Sequence, residues 1–294
     1  MKKYLVIIFF LGGFSSAFGQ ELLEVVTKSV QKSIPFELGS EVKIQGEKAD
    51  VYLSTWDKNR IAVYLDLVAS HPDKAQAEAD LKKMSYQLEK KGTTILIKNV
   101  IPENEKLASR LQAKYTIILP ESCPVNLDNI FGTAQIRGLN KALVVNASYC
   151  DLQLTNLNGS IDIETVFGDI KGRTISGKVN IKSAWTDMDF AKVSGTWKMN
   201  LSQGVLKIEA SNSFADFDII SDQSEIYFVN PAVGLFNYEI LAGLTELDLP
   251  NELNFKRTEL ASDLKQINLQ TPSAQGSFKV KTTFGKVVIG PLSY

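Results

Sequence analysis

Two columns of side chains that could do chemistry recur eighteen residues apart in the middle of the chain. The first is acidic and consists of Asp151, Asp169 and Asp187, each directly after a turn signal. Carboxylates stacked about 5 Å apart repel one another, and Ca²⁺ would relieve that repulsion because it binds carboxylate and backbone oxygens. The alternative is that each aspartate bonds to its local backbone and stays hydrated. The column is thus a candidate calcium site, and no other cofactor is expected.

The second column is aromatic and lies two positions before the acidic one. Its members are Phe131, Tyr149, Phe167 and Trp185. Because each ring comes just before a turn, we expect the column to lie partly exposed at a corner of the fold. An exposed aromatic row is able to stack on sugar rings or to anchor a protein partner. The alternative is a self-packed stack covered by a neighbouring loop.

The remaining residues carry no recognisable catalytic motif. The one histidine, His71, precedes a proline, where a solvated loop histidine is expected rather than a member of a catalytic triad. Asp162, Glu164 and Lys171 are charged and outward-facing, but scattered outward charges are typical of any soluble sheet. A glycosidase or lyase would need paired carboxylates in a cleft. The 32 basic and 33 acidic residues are dispersed, so no nucleic-acid partner is expected.

The elements that position both columns are repeats. Residues 124–231 divide into six consecutive units of eighteen residues, and the last unit begins at Phe214. Each unit splits into two nonapeptides with apolar residues at positions two, four and seven, as in SIDIETVFG and DIKGRTISG. Alternation of apolar residues predicts strands with one buried face, and single repeats cannot bury that face unless they stack. The pattern predicts an all-β fold, a β-solenoid with 18-residue coils.

The same pattern extends beyond the repeat block. It recurs at 41–58 and at 277–294, so we expect one β-solenoid with an N-terminal part over 20–123 and a repeat part over 124–294. Residues 73–90 are free of Gly and Pro and carry apolar residues at helical spacing, which predicts a capping helix. Residues 250–276 do not fit the pattern and are expected to form a lateral insertion.

The first residues indicate export. Residues 1–19 combine two lysines, a short apolar run and a small residue on each side of Phe18, which together predict a secretory signal peptide. The apolar run is too short to span a membrane. We therefore expect an exported protein without a membrane span, in the periplasm, at the cell surface or outside the cell.

Three stretches give the chain a family resemblance. They are EVKIQGEKADVYL, KYTIILPESCPVNLDNIFGTAQIRGL and NGSIDIETVFGDIKG. With the signal peptide, they resemble the bacterial putative adhesin families of unknown function, whose members are exported β-solenoids. The resemblance covers most of the chain after the signal peptide. It implies a fold and a surface role, and it implies no catalytic residue.

These observations favour a binding or scaffold protein of the cell envelope rather than an enzyme. Its expected partner is a cell-surface glycan or an envelope protein, held at the aromatic column. One alternative is a carbohydrate-active enzyme on a β-helix scaffold. Another is a scaffold that assembles by end-to-end stacking, which the predicted caps disfavour, so we expect a monomer.

Overall fold

The computed structural model describes residues 22–102, 106–229 and 232–290, and the predicted signal peptide lies outside them. Within them, twelve strands form one mixed sheet and a single α-helix packs beside it. The elements in chain order are β1 (Glu24–Pro35), β2 (Glu41–Trp56), β3 (Arg60–His71), α1 (Lys74–Leu81), β4 (Ser85–Lys91), β5 (Thr94–Val100), β6 (Arg110–Pro120), β7 (Val125–Arg137), β8 (Leu143–Phe228), β9 (Phe236–Asp248), β10 (Lys256–Ala261), β11 (Leu264–Leu269) and β12 (Gly276–Ile289). The predicted all-β class is confirmed.

The centre of the molecule is a parallel stack in the order β2, β7, β8, β12, β9. Val125 of β7 pairs with Val42 of β2 on one side and with Leu143 of β8 on the other. Within β8, side chains and backbone groups eighteen residues apart are in contact, as where Asn180 Nδ2 donates to Asp162 Oδ1 at 2.6 Å. The repeats therefore lie in parallel layers. The sheet they form is open, with β1 and β10 at its edges.

The strands bury every second side chain, but not all those that the sequence pattern assigns to the core. The first half of each repeat buries positions two, four and six, so Asn129 and Thr165 at position six are 1% and 2% exposed. Position seven points outward, and Ile130 and Val166 are exposed. The predicted apolar position seven is therefore wrong for the first nonapeptide, because regular strand alternation continues up to the corner.

The sixth repeat begins two residues later than predicted. Gln203 Nε2 donates to Gln223 Oε1 at 3.0 Å, and these residues are twenty apart rather than eighteen. Phe217 and Ile219 are buried at the positions assigned from sequence to Ala215 and Phe217, whereas Phe214 is exposed. The two additional residues lie between Ile208 and Phe217, and because side chains alternate with a period of two, a two-residue shift leaves the following apolar pair facing the core.

At the N-terminal end, antiparallel strands cover the parallel stack. β5 and β6 pair in parallel with successive halves of β2, and β4 and β3 then pair antiparallel with β5 and β6. β1 pairs antiparallel with β3 and forms the edge. The helix α1 packs on β1 and β3.

The predicted helix over 73–90 is wrong in its second half. Asp73 caps the helix by accepting a hydrogen bond from the N–H of Ala75, and the helix ends at Leu81. Ser85–Lys91 instead forms β4, because pairing with β5 satisfies its backbone and tertiary pairing outweighs local helix propensity. Leu81, Met84 and Leu88 are still all buried, so the apolar stripe was real although its second half is not helical.

At the C-terminal end, the predicted lateral insertion 250–276 is largely a β-hairpin. β10 pairs antiparallel with β11, and β11 pairs antiparallel with β9. β12 does not follow β9 in space but lies between it and the last layer of β8, parallel to both. The pattern of 277–294 thus does form a layer over its described part, although that layer is not the last one.

Candidate functional site

The four aromatic residues predicted from sequence form a continuous stack, which we call the aromatic ladder. Ring centroids of Phe131 and Tyr149 lie 5.0 Å apart, those of Tyr149 and Phe167 lie 4.9 Å apart, and those of Phe167 and Trp185 lie 6.0 Å apart. Adjacent ring planes are inclined by only 12–18°. The side chains are 37–53% exposed, so the ladder lies at the surface and no described residue covers it.

A sharp backbone corner places each ring at the surface. All four residues have positive φ values of 55–59°, a left-handed conformation that is uncommon for residues other than glycine. The next position is tightly enclosed: a Cβ added at Gly168 would lie 2.2 Å from the carbonyl oxygen of Cys150 in the adjacent layer. Gly168 therefore cannot carry a Cβ in this backbone, whereas Cys150 and Thr186 follow the rings of the two adjacent layers, and each ring turns outward.

The left-handed column is longer than the ladder. Strand pairing places Lys48 beside Phe131 at one end, and it places Phe284 between Gln223 and Leu244 at the other. We call the whole column the corner ridge, and its members in spatial order are Lys48, Phe131, Tyr149, Phe167, Trp185, Gln203, Gln223, Phe284 and Leu244.

Lys48, Phe284 and Leu244 were not predicted to belong to this surface. The signal was present for two of them, since Lys48 and Phe284 are the eighth residues of EVKIQGEKA and SFKVKTTFG, which follow the nonapeptide pattern. Leu244 is at the same position of a poorly matching stretch. Phe284 and Leu244 are 47% and 56% exposed, so the ridge ends in a second apolar segment.

The acidic column lies along one side of the aromatic ladder. Asp151 Oδ1 accepts the backbone N–H of Asp169 at 3.1 Å, and Asp187 Oδ1 accepts that of Val205 at 2.9 Å. Asp50 continues the column and accepts the N–H of Thr133 at 3.2 Å. Each of these carboxylates thus ties one layer to the next.

The three predicted calcium ligands lie in adjacent layers, but they do not form a cluster. No group of three or more His, Cys, Asp or Glu side chains suited to a metal ion occurs in the described part of the chain. Asp151 and Asp187 use one oxygen each on backbone groups, and no described residue donates to the carboxylate of Asp169. The calcium site stays a prediction.

The other side of the ladder is uncharged at its border. Position seven contributes Ile130, Val166 and Ala184 there, and the first two are exposed. Beyond them is a groove of about 640 Å³ that crosses several layers, with Glu164, Lys182, Asn200, Ile220 and Asp222 among its lining residues. No described residue forms an ion pair with Glu164, Lys182 or Asp222. The ladder is therefore a ridge with a column of aspartates on one flank and, on the other, an apolar border followed by a groove that contains charged side chains.

Neither the thiols nor the histidine adds a reactive group to this surface. Cys150 lies just behind Tyr149, where burial raises the pKa of its thiol to about 11. Burial likewise raises the pKa of Cys123 to about 12. Both cysteines are free and buried. His71 lies at the end of β3, where its Nδ1 accepts the N–H of Asp73 at 3.0 Å, away from the ridge.

Comparison with known proteins gives a fold relative but no sequence relative. No family model matches the chain, and no curated protein matches it in sequence. A crystal structure of a putative adhesin from Bacteroides fragilis matches with a TM-score of 0.53 and 9% identity, over 89% of this chain and 97% of that one. This similarity establishes a shared fold, and the adhesin resemblance seen in the sequence is confirmed at that level.

Two further structures match with lower scores. One is a putative cell adhesion protein from Clostridium sporogenes, with a TM-score of 0.27 and 14% identity over 91% of this chain and all of that one. The other is a putative lipid binding protein from Parabacteroides distasonis, with a TM-score of 0.31 and 11% identity over 90% and 97%. Among the described residues, no helix has the length and apolar character needed to cross a bilayer.

Proposed function

We propose that this chain is an exported, non-catalytic binding protein whose corner ridge holds a molecule of the cell surface or envelope. The partner is a surface glycan or an envelope protein. Export follows from the predicted signal peptide, and the surface role agrees with the named role of the B. fragilis fold relative. The parallel layers are, in this proposal, successive coils of a β-solenoid that serves as a rigid support for the ridge.

The observation that carries the proposal is the placement of four large rings at strained, exposed positions. Each left-handed residue other than glycine costs about 1–2 kcal/mol, or about 4–8 kcal/mol for the four. Three stacked pairs return about 0.5–1.5 kcal/mol each, about 1.5–4.5 kcal/mol in total, so at central values they offset about half of the cost. Glycine or asparagine would adopt the same left-handed conformation at a lower free-energy cost. The same left-handed corner recurs at Lys48 and Gln203, so it is the exposure of four large rings at these positions that supports a binding role.

The two ends of the stack support a discrete molecule rather than a polymer. A parallel layer with a free edge would be able to pair with another copy. Here the outermost parallel layers are followed by antiparallel strands: β3 and β4 at one end and β11 at the other. We therefore expect a monomer whose contact with other molecules is lateral, along the ridge.

The test is a binding screen of the purified chain against a glycan array and a panel of purified envelope proteins. Tyr149→Ala combined with Trp185→Ala should weaken any specific binding at least tenfold, because both rings leave the ladder. Phe214→Ala is the matched control, since Phe214 is equally exposed but lies away from the ridge. Binding that is equal in the double variant and the wild type would refute the ridge as the binding surface. Release of shortened glycans would instead support the carbohydrate-active enzyme.

A further inference from the structure

The geometry of the aromatic ladder distinguishes between the two partner classes. A sugar ring that stacks on an aromatic face needs about 3.5–4.0 Å of separation, so a sugar between two rings would require them to be about 7–8 Å apart. The ladder rings are at most 6.0 Å apart and nearly parallel. The faces of Tyr149 and Phe167 are therefore occupied by their neighbours.

The two outer faces of the ladder adjoin polar side chains of the next layers. Phe131 is followed in the column by Lys48, and Trp185 is followed by Gln203. Gln203 is held in turn by its hydrogen bond to Gln223. What the ladder presents to solvent is therefore a row of ring edges. Ring edges carry the positive part of the aromatic quadrupole, so they suit carbonyl oxygens and aliphatic groups rather than the flat face of a sugar.

The flanks of the ladder add a charge preference. Asp151, Asp169 and Asp187 are exposed along one flank, and no described residue forms an ion pair with any of them. The opposite border is apolar at Ile130 and Val166. A ligand that lies along the ladder thus meets ring edges in the middle, apolar side chains on one side and, on the other, a column of three aspartates that Lys171 and Lys207 balance only in part.

We infer that the ladder's partner is a polypeptide segment with apolar side chains bordered by Lys or Arg, and not a glycan. This inference rests on the proposed function, because it names the class of molecule that the same ridge holds. The segment lies along the stack, with its apolar side chains on the ring edges and its basic side chains on the Asp flank. Two copies of this chain joined antiparallel by their ladders would oppose their own Asp columns, and this like-charge contact disfavours self-association there.

Two probes separate the partner classes: a displayed library of random 12-residue peptides and a glycan array, each applied to the full exported chain. We expect selected peptides to be rich in Lys or Arg beside apolar residues. Their affinity should fall at least tenfold in Tyr149→Ala with Trp185→Ala. It should fall several-fold in Asp151→Asn with Asp187→Asn, where the amide oxygen can still accept the backbone N–H. It should also decrease with added salt.

The control variants are Phe214→Ala for the rings and Asp218→Asn for the charges, because both residues are exposed away from the ladder. Ladder-dependent glycan binding without peptide binding would overturn the inference and leave the proposed function intact. Peptides that bind the ladder but lack basic residues, or that ignore the Asp substitutions, would also overturn it. If nothing bound in a ladder-dependent way, both the inference and the proposed function would fail.

Discussion

Asp80 is the one charged residue that is buried among the described residues. It is fully buried in α1, where its carboxylate accepts Gln76 Nε2 at 3.0 Å and the N–H groups of Ala108 and Ser109 at 3.1 and 2.9 Å. Burial alone would raise its pKa, but the hydrogen bonds from Gln76, Ser109 and Ala108 outweigh burial and lower the pKa to about 2. One carboxylate thus fastens the helix to the segment before β6.

Asp80→Asn should lower the free energy of unfolding by about 1–3 kcal/mol at pH 7, because the new amide group opposes buried N–H donors. The folded-state pKa is below the usual 3.8, so the carboxylate stabilises the fold above pH 4 and loses this effect as the pH falls towards 2. Denaturant titrations at several pH values should show the difference between wild type and variant shrinking over that range. Asp218→Asn is the exposed control. A difference that is constant with pH would contradict this role.

The calcium hypothesis also concerns single residues. If Ca²⁺ binds beside the ladder, added Ca²⁺ should raise the melting temperature, because a ligand that binds only the folded state stabilises it. Asp169→Ala should abolish the rise, since the carboxylate of Asp169 is the one to which no described residue donates. Mg²⁺ at the same concentration controls for ionic strength. An unchanged melting temperature with Ca²⁺ would eliminate the site and leave the column as a set of backbone acceptors.

At the scale of elements, neighbouring layers fit together through compensating changes of side-chain size. The apolar column of the second nonapeptide is interrupted at Gly172, and Phe190 of the next layer fills the space. A Cβ at Gly172 would lie 2.2 Å from Phe190 Cδ1 and 2.8 Å from Ile175 Cδ1. The ring cannot move aside freely, because it packs edge-on against Trp197 with centroids 5.1 Å apart.

Gly172→Ala should therefore destabilise the chain by about 1–3 kcal/mol through overpacking. In a Phe190→Leu background the same substitution should cost much less, because the smaller side chain leaves room for the methyl group. A double-mutant cycle by chemical denaturation measures this coupling. Equal effects in both backgrounds would mean that the two residues do not compete for one space.

The aromatic column could be predicted from the sequence, whereas the shifted repeat and strand β4 could not. Eighteen-residue spacing was enough to place Phe131 and Tyr149 in one column, because identical spacing brings equivalent residues together when layers stack. The spacing did not predict the place of Gln223, which lies twenty residues after Gln203. A fixed period of eighteen residues does not allow for an insertion of two. It also failed at Ser85–Lys91, because pairing with β5 is a tertiary effect that no local pattern encodes.

At the scale of the whole molecule, the strands at the two ends of the stack determine whether the protein stays monomeric. β11 covers the outer edge of β9, and its Ile267 is buried against the core. Beyond it, β10 is an exposed edge strand that carries Lys256, Arg257 and Glu259. Charged residues on an edge strand oppose pairing with other chains.

Ile267→Lys should undock the hairpin of β10 and β11 and expose the edge of β9. The wild-type chain should sediment as a monomer, whereas the variant should associate increasingly with concentration in sedimentation velocity experiments. Leu260→Lys is the matched control, because it adds the same charge at an exposed position of the hairpin. A variant that stays monomeric at high concentration would show that the hairpin does not protect this end.

The position of β12 has a consequence for the order in which the chain is completed during synthesis. β9 is made before β12, yet β12 separates it from β8. Until β12 is available for pairing, β9 lacks its parallel partner, and the last layer of β8 presents an open edge in nearly the same register. A nascent chain that stops short of residue 276 would therefore let β9 dock directly on β8, a non-native closure that the final strand must prevent or displace.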